Sequence, residues 1–223
     1  MELEVDGRPV SWRRDGALAG RPLLVLAHGA GAPYTSPFME LAAQGLVGRG
    51  LCVVRFHFPS MEEAQRTGRR RPPDPAARML TTWRAMVDCA LAMRRHGPLV
   101  IGGKSMGGRM ASMLLAQGRA PETVGAVYLG YPLHPAGRPE KLRAVHLADV
   151  PVPQLFVQGE KDPLCRPALL RAALAGVRGA RHLEIPGADH SLARSRKDPA
   201  AGADEWLDAV AAFVHEVAAT PAG

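Results

Sequence analysis

Leu99-Val100-Ile101-Gly102-Gly103-Lys104-Ser105-Met106-Gly107-Gly108-Arg109 decides how the chain is read. A short apolar run meets two glycines, one serine and two more glycines, and then the helix-compatible Met110-Ala111-Ser112-Met113-Leu114-Leu115-Ala116. That order predicts a buried strand, a tight turn and the start of a helix. Gly103-x-Ser105-x-Gly107 matches the nucleophile elbow, in which a serine on a strained turn has its hydroxyl exposed. Glycines are needed beside it because a Cβ would clash where strand and helix approach closely. The pentapeptide also arises by chance in ordinary turns, so its surroundings must decide. Lys104-Ser105 invites a phosphate-loop reading as well. That motif, Gly-x-x-x-x-Gly-Lys-Ser/Thr, would put its first glycine at position 98, which is Pro98, and the intervening 99–102 read as strand. The ATPase reading is rejected.

Outward from the elbow, strands and helices alternate. Before it, Met79, Leu80, Trp83, Met86, Val87, Ala90, Leu91 and Met93 recur at helical spacing over residues 76 to about 96, and Gly97-Pro98 ends that helix. The continuous apolar runs at 23–27 and 51–56 predict strands buried on both faces. Between them Ser36-Pro37 supplies the N-cap and first turn of a helix reaching about Gly45. Residues 57–74, with Arg69-Arg70-Arg71-Pro72-Pro73, read as a long polar loop, functional or mobile. After the elbow come strands at 123–129, 154–158 and 182–185, and helices at 166–175 and 203–217. Asp6-Gly7 suits the turn of a small N-terminal hairpin. The alternation predicts a mostly parallel sheet with helices on both faces, a three-layer α/β arrangement. One domain over 1–223 is expected, with a short insertion at about 131–150. Loops starting at His28, Lys104, Tyr131, Gly159 and Pro186 all leave strand C-termini, the edge at which such sheets bind ligands.

Composition narrows the alternatives. The chain has 223 residues, 47% of them hydrophobic, enough for a substantial core. No apolar stretch approaches the roughly 20 residues of a membrane span. The acidic start, Met1-Glu2-Leu3-Glu4, lacks the basic-then-apolar order of a signal peptide, so a cytoplasmic location is expected. Cys52, Cys89 and Cys165 have neither disulfide-framework nor metal-site spacing, and buried thiols are the simpler account of the first two. The net charge of +7 comes mostly from scattered arginines without a nucleic-acid-binding motif, so nucleic acid is disfavoured as a partner. No metal-ligand spacing and no dinucleotide fingerprint occurs, so neither a metal nor a cofactor is expected. A homo-oligomer is compatible with the sequence.

A serine hydroxyl becomes nucleophilic when an adjacent base takes its proton, and that base needs a carboxylate to orient it. Ser105, then an acid at Asp162 or Glu160, then His190 follow one known chain order for such triads, each just past a predicted strand. Asp162-Pro163 could instead be simple turn chemistry, and His190 a locally bonded loop histidine. Two N–H groups must hold the oxyanion. Met106, directly after the serine, supplies one, and the 28–31 loop supplies the other, at Ala30.

With these pieces in place the chain resembles the α/β-hydrolase superfamily from about Leu23 to Val217, and more narrowly its small dienelactone-hydrolase-like branch, typified by testis-expressed KANL-type hydrolase domains. The likeness rests on His28-Gly29-Ala30-Gly31, Arg69-Arg70-Arg71-Pro72-Pro73, the elbow through Arg109, Gly130-Tyr131-Pro132-Leu133-His134-Pro135 and Asp189-His190-Ser191. It implies an α/β-hydrolase fold with a minimal cap, and it favours Asp162 over Glu160, because acids of this family sit just past that strand. It also implies a serine hydrolase acting on a small-molecule ester or thioester without a cofactor. The rival is a non-catalytic scaffold on the same fold. The insertion is short for a lid, so an open site is expected, with His28, Gly31, Lys104, Tyr131 and His134 as candidate substrate contacts, although His28 could serve only to brace its loop. The Arg69–Pro73 loop could present cations to an acidic or phosphorylated acyl group, or could simply be solvent-exposed.

Overall fold

The computed structural model describes residues 1–93, 98–195 and 197–220. The expected end of the helix near His96 and its Gly97 stop lie outside them. Among the described residues eight strands form one sheet: β1 (Glu2–Val5), β2 (Arg8–Asp15), β3 (Leu23–Ala27), β4 (Cys52–Phe56), β5 (Leu99–Lys104), β6 (Thr123–Leu129), β7 (Gln154–Gly159) and β8 (Ala180–Ile185). Their order is β1-β2-β4-β3-β5-β6-β7-β8, antiparallel at the first two pairings and parallel from β4 to β8. Asp6 and Gly7 both take positive φ, 50° and 71°, as a two-residue hairpin turn between right-twisting strands requires.

Among the described residues six α-helices accompany the sheet: α1 (Pro37–Gly48), α2 (Pro59–Thr67), α3 (Ala76–Met93), α4 (Met106–Ala116), α5 (Pro167–Leu174) and α6 (Ala203–Ala219). Successive side chains of a strand point to opposite faces, and β3 shows the consequence. Leu24 and Leu26 pack with Met39 and Leu46 of α1 and with Trp206 and Val210 of α6. Leu23, Val25 and Ala27 pack with Trp83 and Met86 of α3 and with Met110 and Leu114 of α4. A strand buried on both sides has no polar positions to spare, which is why its sequence reads as an unbroken apolar run. No helix among the described residues is long and apolar enough to cross a membrane.

One segment departs from the sequence reading. Residues 57–74 are not one long loop, because Pro59–Thr67 forms α2. Its signals are terminal: Pro59 in the first turn, Glu62 near the N-terminus, Arg66 in the last turn and a left-handed Gly68 closing it. Pro59 is the single buried residue of the helix, so it carries no apolar stripe for a periodicity search to find. Polar contacts hold it instead, with the Glu62 carboxylate accepting from the Ser11 N–H and hydroxyl, each at 3.0 Å.

Near the C-terminal end of β4, Arg55 is fully buried. Its guanidinium donates to Asp15 at 2.8 and 3.1 Å, to Glu40 at 2.9 Å and to the Tyr34 carbonyl at 2.6 Å. Removing one partner would leave a buried charge uncompensated, so the network ties β2, β4, α1 and the loop after β3 into one arrangement.

Candidate active site

The elbow is built by close backbone approach. A Cβ on Gly103 would lie 2.4 Å from the Ala27 carbonyl oxygen, and one on Gly107 would lie 2.5 Å from the same atom. Only glycine lets β5 and the first turn of α4 press against β3 in this way. Between them Ser105 is held at φ 50° and ψ −114°, a conformation that costs a non-glycine residue on the order of 1–3 kcal/mol. Surrounding contacts hold it there: the Ser105 N–H donates to the Leu129 carbonyl at 3.0 Å, and the Trp83 indole N–H donates to the Gly107 carbonyl at 3.3 Å.

The strained turn aims the hydroxyl at a histidine. Ser105 Oγ lies 3.0 Å from His190 Nε2, and His190 Nδ1 lies 2.6 Å from Asp162 Oδ2. An ionised carboxylate can only accept, so Nδ1 carries the proton and Nε2 is free to accept one from the serine. The Asp162 side chain is fully buried, whereas His190 is about a quarter exposed, at 27%. Asp162 also accepts from the Leu164 N–H at 2.8 Å and from the Gln158 amide at 2.5 Å. Gln158 went unnoticed in the sequence because it sits inside strand β7, where nothing marks it as polar machinery. Glu160, the competing acid, accepts instead from the Gly187 N–H at 2.7 Å. Asp189 turns away from the histidine and accepts from the Ser191 and Ala193 N–H groups at 2.7 and 3.3 Å.

A cavity of about 370 Å³ opens over these groups, lined by Ala30, Gly31, Phe38, Lys104, Ser105 and His190 among others. Met106 is the first residue of α4, so its N–H has no acceptor within the helix. The 28–31 loop lies against the elbow, where a Cβ on Gly29 would be 3.6 Å from Ser105 Cβ.

Lys104 lines this cavity, but its ammonium is already engaged. It donates to the His190 carbonyl and lies 5.4 Å from the Phe38 ring centroid. Burial holds its pKa down to about 8, with Asp162 and Asp189 pulling the other way. Gly31 belongs to the wall of the same cavity.

Two candidate contacts, Tyr131 and His134, are corrected, and of the two readings of His28 the structure favours the brace. His28 is buried, with Nε2 accepting from the Phe58 N–H at 3.1 Å and Nδ1 donating to the Gly29 carbonyl at 2.6 Å. Burial lowers its pKa to about 4, so it is a neutral brace under the loop rather than a substrate contact. Tyr131 is fully buried in the core, and its hydroxyl donates to the Arg143 carbonyl at 2.9 Å. His134 is 2% exposed, and its Nε2 accepts from the Arg166 N–H at 3.1 Å. The segment leaves β6 beside the site, where a Cβ on Gly130 would meet Lys104 and His190, but the Tyr131 and His134 side chains turn inward to fasten it.

The model of the alpha/beta hydrolase domain family matches residues 20–218. The chain belongs to the α/β-hydrolase family. Among solved structures it is similar to Est1E from Butyrivibrio proteoclasticus, with a TM-score of 0.77 at 16% identity over 99% of both chains. A dienelactone hydrolase from Anabaena variabilis superposes with a TM-score of 0.71 at 22% identity, over 97% of this chain and 94% of that one. An alpha-beta serine hydrolase homologue from Coxiella burnetii gives 0.74 at 14% identity, over 93% and 94%. At these identities the likeness is one of fold. Among the described residues no group of three His, Cys, Asp or Glu side chains is arranged to hold a metal ion.

Proposed function

We propose that this α/β-hydrolase-family chain is a serine hydrolase that cleaves a carboxylic ester or thioester through an acyl-enzyme. The observation that carries the reading is the unbroken contact chain from Ser105 Oγ through His190 to the buried Asp162, at 3.0 and 2.6 Å, with Ser105 and His190 on the wall of one cavity. Ser105 Oγ attacks the carbonyl carbon while His190 Nε2 takes its proton, and Asp162 holds the imidazole in the required tautomer and balances the imidazolium. The N–H groups of Met106 and Ala30 receive the developing oxyanion. His190 then protonates the departing alcohol or thiol, and water releases the acid by the same steps in reverse roles. The strained Ser105 backbone supports this reading, since such strain persists where function repays it.

Turnover of p-nitrophenyl butyrate and of a butyryl thioester, compared between wild type and Ser105→Ala, tests the proposal. Wild type is expected to hydrolyse at least one of them with saturation, and Ser105→Ala to lose that activity while keeping its thermal midpoint. Equal rates for the two proteins, or no hydrolysis by wild type, would reject it.

A further inference from the structure

We propose that the substrate carries a phosphate group on its leaving-group side and that the 69–73 loop receives it; this deepens the hydrolase reading and rests on it. A second cavity, of about 640 Å³, is walled on one side by Ala30, Gly31 and Pro33 and on the other by Met61 and Gln65 of α2 with Arg69, Arg70 and Arg71. Ala30 and Gly31 also line the cavity that holds Ser105 and His190. A ligand whose carbonyl sits at the elbow therefore has the arginines within reach across the oxyanion loop.

Charge selects the ligand. Arg71 pairs with Glu63, whereas Arg69 and Arg70 are exposed and have no carboxylate partner among the described residues. Two uncompensated guanidiniums match a phosphate monoester, which carries about −1.5 to −2 at pH 7, better than a single carboxylate. Guanidinium forks also fit phosphate oxygens in bidentate geometry. The loop is fastened at both ends, so the backbone that carries its cations is already ordered. Gly68 closes α2 in the left-handed region, Pro72 and Pro73 fix their own φ angles, and the Asp74 carboxylate accepts from the Ser60 N–H at 2.7 Å while pairing with Arg78 at 3.1 Å. No aromatic ring is among the described residues lining this cavity, so the phosphate rather than a base is what is recognised. On the opposite flank, Phe38 and Leu41 line an apolar cavity of about 430 Å³ that reaches Ser191 beside His190. An apolar acyl chain belongs on that flank and the phosphorylated alcohol or thiol on the arginine flank. The phosphate is not transferred. The acyl carbon exchanges its bond to the leaving oxygen or sulfur for a bond to Ser105, the Ser105 proton passes through His190 to the leaving group, and water later frees the serine.

The test compares S-butyryl-4′-phosphopantetheine with S-butyryl-pantetheine, which differ by one phosphate, and p-nitrophenyl hemisuccinate with p-nitrophenyl butyrate, which places a carboxylate on the acyl side. Wild type is expected to favour the phosphorylated thioester at least tenfold in kcat/KM, mostly through KM. That ratio should fall towards one in Arg69→Ala/Arg70→Ala and be only partly retained in Arg69→Lys/Arg70→Lys, which keeps the charge but loses the bidentate fork. Binding of free 4′-phosphopantetheine to Ser105→Ala, followed by calorimetry, reads the phosphate site without any turnover and should weaken at least tenfold when both arginines become alanine. Binding without hydrolysis by wild type would keep the phosphate site and reject the hydrolase reading. A phosphate preference under twofold with no arginine-dependent binding would overturn the inference, as would a preference for the hemisuccinate alone.

Discussion

Replacing Asp162 with asparagine separates the orienting role proposed for this carboxylate from its contribution to the fold. Asp162 accepts three hydrogen bonds, from His190 Nδ1, the Gln158 amide and the Leu164 N–H. In Asp162→Asn one oxygen can still serve Leu164, while the new NH2 faces both His190 and Gln158. Gln158 Oε1 is buried without a partner, so a flip of that amide lets it accept from the asparagine. The flip leaves Gln158 with one unpaired buried polar atom, as before, so stability should change by no more than about 1 kcal/mol, the net worth of one ordinary hydrogen bond. His190 has no such escape. Facing an N–H donor, its Nδ1 becomes the acceptor, the proton moves to Nε2, and Nε2 can no longer take the Ser105 proton. In a serine triad the equivalent change costs roughly 10⁴ in kcat, or about 5 kcal/mol of barrier. The assay is kcat on p-nitrophenyl butyrate beside a urea melt of both proteins. A loss under tenfold in a folded protein would refute the argument that Asp162 acts by setting the tautomer of His190.

Two further outcomes follow from the buried groups around the site. The Lys104 pKa is lowered to about 8 from 10.5 by burial, so between those values the unfolded chain binds the proton that the folded chain has lost. Stability relative to Lys104→Met should then rise with pH across that window, and parallel urea midpoints from pH 7 to 10.5 would contradict the shift. His28→Ala leaves the buried Phe58 N–H without its acceptor, at a cost of about 1–3 kcal/mol. An unchanged urea midpoint would show that His28 does not brace the loop.

The elbow was legible because sterics leave the sequence no choice: glycine at 103 and 107 is demanded by the Ala27 carbonyl, and the unbroken apolar run before Ser105 belongs to a strand buried on both faces. Ser105, Asp162 and His190 each lie at or just past a strand end, so topology alone brings them to one edge. What chain order does not encode is side-chain direction. Tyr131 and His134 sit beside the site in sequence, yet they turn into the core and the loop base because their polar tips find backbone partners there. Helix α2 escaped notice because its face against β2 is polar rather than apolar, which leaves no period to count. Gln158 escaped for a related reason, since a strand residue supporting Asp162 from below looks the same in sequence as any partly polar strand position.

The central claim is that Ser105 is the activated nucleophile. Intact-mass analysis after treatment with a fluorophosphonate tests it most directly, because the reagent needs only a serine poised by its histidine and no knowledge of the substrate. Wild type is expected to gain one phosphonyl group, mapped to the peptide containing Ser105, with no gain in Ser105→Ala and a much slower gain in His190→Ala. An unmodified wild type, or equal modification of Ser105→Ala, would contradict the account.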